Sequence, residues 1–207
     1  PDVERVAERA VAVLPAGFRV IYIVRDPIDR IVSQHYHEFI EGLIGANINL
    51  AVREHPRMLN YSRYGYQLAP WIEAVGADRV QVVRFESYTA DRQATIARLC
   101  EFLELPVEQL PELDVAVHNR SEEKIIKNKF WDFVQQSRLY QQGVRPLMSP
   151  RWRTQLQKWI LPRGPDRPEP PSLETISWLR EQLAGEVRQI SDYAGSVGML
   201  WEDYSPR

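Results

Sequence analysis

The sequence predicts an α/β fold: a mostly parallel sheet flanked by helices, with a helical C-terminal part. Three observations carry this. Two short runs rich in β-branched residues, "FRVIYIV" (18–24) and "DRVQVVRF" (78–85), show little polar alternation, which suits strands covered on both faces. Between and after them, apolar residues recur at three- and four-residue spacing, the period of an amphipathic helix. Strands alternate with helices rather than following one another, and no internal repeat is present, which is the pattern of parallel strands joined by helical crossovers.

The elements follow in order. "DVERVAERAVAVL" places Val3, Val6, Ala10 and Val13 on one helical face, and Pro15 and Gly17 end it. After the first strand, Asp26 stands at an N-cap position and Pro27 at the first helical residue, with Asp29 adding negative charge to the first turn. The helix that follows turns Ile28, Ile31, Val32, His35, Tyr36, Phe39, Ile40 and Leu43 inward, and Gly42 and Gly45 close it. "ANINLAVREHPRMLN" (46–60) reads as a loop with one helical turn. "YSRYGYQLAPWIEAVG" (61–76) reads as a helix interrupted or bent at Pro70.

Beyond the second strand, "DRQATIARLCEFLEL" gives a helix with Ile96, Leu99, Phe102 and Leu103 inward, followed by a turn region at Pro106 and Pro111. Residues 121–140 are helical but less regular. Ser149 and Pro150 open a further helix as cap and first residue. "LPRGPDRPEPPS" (161–172) is a stiff, extended connector. A last helix runs from Leu173 to Ala194, with Ile176, Leu179, Leu183, Val187, Ile190 and Ala194 inward and Gly195 as its stop.

Composition bounds the function. The 207 residues fit one domain, 1–207, and 44% hydrophobic with 26% charged residues is the balance of a soluble globular chain with a real core. The net charge of −2 gives no global reason to bind nucleic acid or a membrane surface, so any anion site is local. Cys100 is the lone cysteine, which leaves no disulfide framework or thiolate metal cluster within one chain, and its amphipathic setting makes it a small core residue. No run approaches the roughly 18 apolar residues of a membrane helix. The expectation is a cytoplasmic protein, with an upstream anchor left open. The chain begins "PDVERVAE" without an initiator Met and so reads as a piece of a longer, N-terminally incomplete domain.

The corner after the first strand carries the functional signal. Ligands of open parallel sheets bind beyond the carboxyl ends of the strands, and Arg25 stands at such an end. Its guanidinium is a rigid fork of donors that suits phosphate. Ser33 lies about two turns into the next helix, on the same side as Arg30 and His37. An Arg and a Ser so placed can hold one phosphate between them. The alternative on the local pattern alone is a solvated Arg and a neutral mid-helix Ser. His35 and His37, two residues apart, point to different helix faces and make a poor pair of metal ligands.

"VIYIVRDPIDRIVSQHYH" resembles the 3′-phosphate-binding element of sulfotransferases that use 3′-phosphoadenosine 5′-phosphosulfate (PAPS), in which an apolar strand ends in Arg and a Ser follows at this spacing. Three further stretches are similar to that family in its own order. Residues 64–106 match a helix with Tyr and Leu, a strand ending in aromatic-Glu, and a helix finishing Phe-Leu-x-Leu-Pro. "HNRS" (118–121) matches a short Asn-x-Ser stretch. "SPRWRTQLQKWI" and "YAGSVGMLWEDY" match the terminal helices of bacterial members.

The resemblance implies a P-loop-NTPase-like sheet and transfer of a sulfuryl group from PAPS to an acceptor hydroxyl or amine, leaving 3′,5′-adenosine bisphosphate (PAP). It implies that Arg25 and Ser33 bind the 3′-phosphate, that Phe85 lies near the adenine, and that Arg145 in "QQGVRPLMSP" touches a phosphate. His37 is the candidate base on this chain. The glycine-rich loop for the 5′-phosphosulfate is absent from these residues and is expected upstream of Pro1. The chemistry calls for no metal. The partners expected are the nucleotide and an acceptor of unknown class; oligomeric state is open. Two alternatives stay open: another P-loop-type kinase or transferase, which needs a Walker-type loop and Mg²⁺-holding carboxylates, and a non-catalytic nucleotide- or partner-binding domain of the same fold.

Overall fold

The computed structural model describes residues 3–107, 167–195 and 199–204. Arg145, "HNRS", the helix read over 121–140, the helix opened by Ser149 and half of the Pro-rich connector lie outside the described residues. The elements are α1 (Val3–Val13), β1 (Val20–Val24), α2 (Pro27–Ile40), α3 (Ile48–Glu54), α4 (Arg57–Asn60), α5 (Tyr64–Val75), β2 (Val80–Arg84), α6 (Phe85–Ala90), α7 (Arg92–Phe102) and α8 (Leu173–Tyr193). The two strands pair in parallel, from Val20 opposite Val80 to Val24 opposite Arg84. Helices α2 to α5 make the crossover between them.

Residues from three regions of the chain build the core. Val24 of β1, Ile31 of α2, Met58 of α4 and Leu68 of α5 are buried against Leu179, Leu183, Val187 and Ile190 of α8. The i, i+4 spacing of the α8 residues makes the stripe that packs on α5 and α2. Ser172 caps α8 by accepting from the Thr175 N–H at 3.2 Å, and its own N–H donates to Asn49 Oδ1 at 2.9 Å, tying the helix start to α3. Gly195, at φ +63°, follows the helix end in the left-handed conformation that suits glycine.

Several expectations are corrected. The region 46–60 holds two helices, not a loop with one turn: Asn47 caps α3 through the Asn49 N–H, and Ile48, Ala51, Val52 and Met58 are core residues. Pro70 does not interrupt α5, which runs through it. Among the described side chains of α1 only Ala7 is buried, on the helix that packs on α5, while Val6 and Val13 are exposed; a small residue allows a close helix approach that valine would block. Leu43 lies past the end of α2 and is exposed. In β1, Ile23 is 58% exposed, so one face of that strand is not covered by the described residues. In α7 only Thr95 is buried, and Cys100 is half-buried rather than a core residue.

Candidate functional site

The site begins with the turn from β1 into α2. Asp26 Oδ1 accepts from the N–H groups of Ile28 and Asp29, both at 2.9 Å, and Pro27 needs no donor at its position. Burial raises the Asp26 carboxyl above the usual carboxylate range, opposed by those two hydrogen bonds. The cap fixes where β1 stops and α2 starts, and so sets Arg25 at the mouth of the corner.

The peptide between Arg25 and Asp26 is held from both sides. Its carbonyl accepts from Tyr64 Oη at 2.9 Å, and its N–H donates to Glu86 Oε1 at 2.8 Å. Tyr64 is the first residue of α5 and Glu86 the second of α6, so elements on both sides of β2 hold this one backbone unit. Tyr64 is buried, and burial pushes its phenol up to about 12, so it stays a donor at neutral pH. The α5 start is fixed in turn by α8: Glu186 accepts from Tyr66 N–H at 2.8 Å and from Arg63 Nε at 3.0 Å. Sequence reading missed Tyr64 and Glu186, whose partners are respectively 39 and at least 120 residues away. The aromatic-Glu ending of β2 was the one signal for Glu86.

The structure brings four of the five sequence-predicted site residues to one cavity of about 560 Å³, lined by Arg25, Ser33, His37 and Phe85, with Arg30 and Tyr64 beside them. The Arg25 guanidinium lies 5.6 Å from the Phe85 ring centre, a cation–π contact, and Nη2 is 3.3 Å from Asp29 Oδ2. Phe85 is not in the strand but opens α6, and at 38% exposure it is a cavity wall rather than a core aromatic. His37 is exposed, with Nε2 3.4 Å from Glu41 Oε1. His35 points away from the cavity: it is buried, with Nε2 3.0 Å from the Gly45 carbonyl, and burial lowers its pKa. The fifth residue, Arg145, lies outside the described residues.

A polar ladder runs along the cavity side of α2. Arg30 Nη1 donates to Gln34 Oε1 at 2.9 Å, and Gln34 Nε2 donates to Glu38 Oε1 at 2.7 Å. Arg57 donates to Glu38 Oε2 through Nε at 3.0 Å and Nη2 at 2.8 Å. These bonds, Arg57's first, hold the Glu38 carboxyl below its usual range. Its charge is thus matched by Arg57 on the wall that it shares with Arg25 and Arg30. Among the described residues no group of three or more His, Cys, Asp or Glu could hold a metal ion, and no helix is long and apolar enough to cross a membrane.

A family model described as "Sulfotransferase family" matches residues 5–109, just over half of the chain, including the whole corner and both strands. The chain belongs to the sulfotransferase family. No curated protein matches this sulfotransferase-family chain significantly in sequence. Among solved structures, a sulfotransferase from Alicyclobacillus acidocaldarius superposes with a TM-score of 0.56 at 13% identity, over 92% of this chain. At that identity the likeness is one of fold. The chain spans 59% of the length of that structure.

Proposed function

We propose that this domain binds PAPS and transfers its sulfuryl group to an acceptor hydroxyl or amine, with Arg25 and Ser33 holding the 3′-phosphate. The observation that carries the reading is that Arg25 and Ser33, on opposite sides of the capped corner, line one cavity with Phe85. We take the chain as one sulfotransferase-like domain, its two strands as part of a P-loop-like sheet, and its compartment as the cytoplasm, which suits a lone free cysteine.

The residues fit the phosphate end of such a donor. The Arg25 fork gives charge-assisted hydrogen bonds, the Ser33 hydroxyl gives another, and the Phe85 face offers a stacking surface for a base. The bound donor supplies the sulfuryl group, which passes to the acceptor atom while PAP departs. The work of the chain is to orient: a fixed phosphate sets the line along which an acceptor approaches. His37, exposed at the cavity wall, is the group here that can take the acceptor proton. Arg145 is proposed as a further phosphate contact on the resemblance alone.

Calorimetry with PAP in the absence of magnesium, beside ATP with magnesium, tests the reading. PAP should bind and ATP should not. Arg25→Ala should abolish most of the affinity, and Ser33→Ala should cost about 1–2 kcal/mol, the worth of a hydrogen bond to a charged group. Undiminished PAP binding by Arg25→Ala removes the site assignment. Tight binding of ATP with magnesium favours a kinase-like transferase. PAP binding without sulfuryl transfer to any acceptor favours a non-catalytic domain.

A further inference from the structure

Among the described residues two guanidinium groups reach the cavity, and they are unequally compensated. Arg25 has the Asp29 carboxylate 3.3 Å from Nη2. The described partners of Arg30 are neutral: Gln34 Oε1 at 2.9 Å, Ser62 Oγ at 3.3 Å and the Tyr61 ring centre at 5.4 Å. Among the described residues it forms no ion pair with a carboxylate. The nearest acid on its ladder, Glu38, is engaged by Arg57.

Arg30 is also partly removed from water. Burial is the largest influence on it, lowering its proton affinity, and the neighbours that act on its charge are the phenols of Tyr64, Tyr22 and Tyr61. A cation that gives up hydration without a counter-charge is costly, and an anion in the cavity offsets that cost. One corner of the guanidinium is anchored: Nη1 donates to Ser62 Oγ, and Ser62 is fully buried, its own hydroxyl donating to the Pro27 carbonyl at 3.4 Å. Arg30 stands three residues before Ser33, so the two are neighbours on the α2 surface.

We propose that Arg30 is a second phosphate-binding guanidinium, and that the 3′-phosphate of the nucleotide lies between Arg25 and Arg30 against the Ser33 hydroxyl. This rests on the PAPS reading above and adds a residue to it. A phosphate monoester carries close to two negative charges at neutral pH, and two guanidiniums match it where one that is already paired with Asp29 does not.

The test is calorimetry on the 207-residue chain with two probes: PAP, and 5′-AMP, which lacks the 3′-phosphate. Arg30→Gln should weaken PAP binding by about tenfold to a hundredfold, the loss of one or two charge-assisted hydrogen bonds, and leave 5′-AMP binding unchanged. Arg30→Met, which keeps an unbranched apolar stem without the guanidinium, should behave the same way. Phenylglyoxal modification mapped by peptide mass spectrometry needs no variant, and PAP should protect Arg30 where 5′-AMP does not. If the native chain binds PAP while Arg30→Gln binds it equally tightly, or if PAP leaves Arg30 open to phenylglyoxal, Arg30 only packs and the inference is overturned alone. If the native chain does not bind PAP, the PAPS reading fails and takes this one with it.

Discussion

The peptide joining Arg25 to Asp26 should be the most sensitive backbone unit of the corner, and its two anchors should be energetically coupled. Tyr64→Phe removes the hydroxyl that donates to the Arg25 carbonyl at 2.9 Å and changes little else. The loss leaves a part-buried acceptor without its partner, worth about 1 kcal/mol. Glu86→Ala removes the carboxylate that accepts from the Asp26 N–H at 2.8 Å. A charge-assisted bond is worth roughly 1.5–3 kcal/mol, and the lower end applies because the Glu86 side chain is 35% exposed. Since both groups hold one rigid peptide, losing the first lets it turn, and losing the second then costs less. The double variant should fall short of the sum by about 0.5 kcal/mol or more. Urea unfolding followed by tryptophan fluorescence measures all four proteins. Glu86→Gln, which keeps an acceptor without its charge, should recover part of the loss. Strict additivity, or a Tyr64→Phe protein as stable as the native one, would refute the idea of a peptide clamped at both ends.

Two further outcomes are expected. A Cβ on Gly65 would lie 2.8 Å from Gln189 Cβ, closer than carbon atoms pack, so Gly65→Ala should push α5 from α8 and destabilise by about 1–3 kcal/mol, read as a lowered urea midpoint. His35 is held neutral by burial, so its folded pKa lies below the unfolded value of about 6.5; the unfolded chain takes the proton first, and stability should fall as pH drops below about 6.5, a slope that His35→Gln should reduce.

How much was legible in the sequence differs by element. The corner was, because its signals are local: Asp26 and Pro27 announce the helix start within two residues, and Arg25 and Ser33 sit one strand end and two turns from it. The stripe on α8 was legible from its i, i+4 spacing. Helices α3 and α4 were missed because each is too short to show a period, and tertiary burial of Ile48 and Met58, not propensity, holds them. The inward face of α1 was misread because valine looks like core, whereas the close contact belongs to Ala7. In the site, Arg30 was placed beside Ser33 but its want of a counter-charge was invisible, since that depends on Arg57 claiming Glu38. The partners of Tyr64 and Glu86 were out of reach because they lie 39 and 60 residues away, although the aromatic-Glu strand ending had drawn notice to Glu86 itself.

Glu186 carries a consequence for how the cavity comes into being. It contributes no atom to the pocket, yet it steadies the first turn of α5, from which Tyr64 reaches the rim. During synthesis, the stretch with the recognisable signature leaves the ribosome well over a hundred residues ahead of this glutamate. The geometry of the cavity is therefore a property of the chain with α8 in place, rather than of the segment that carries the signature.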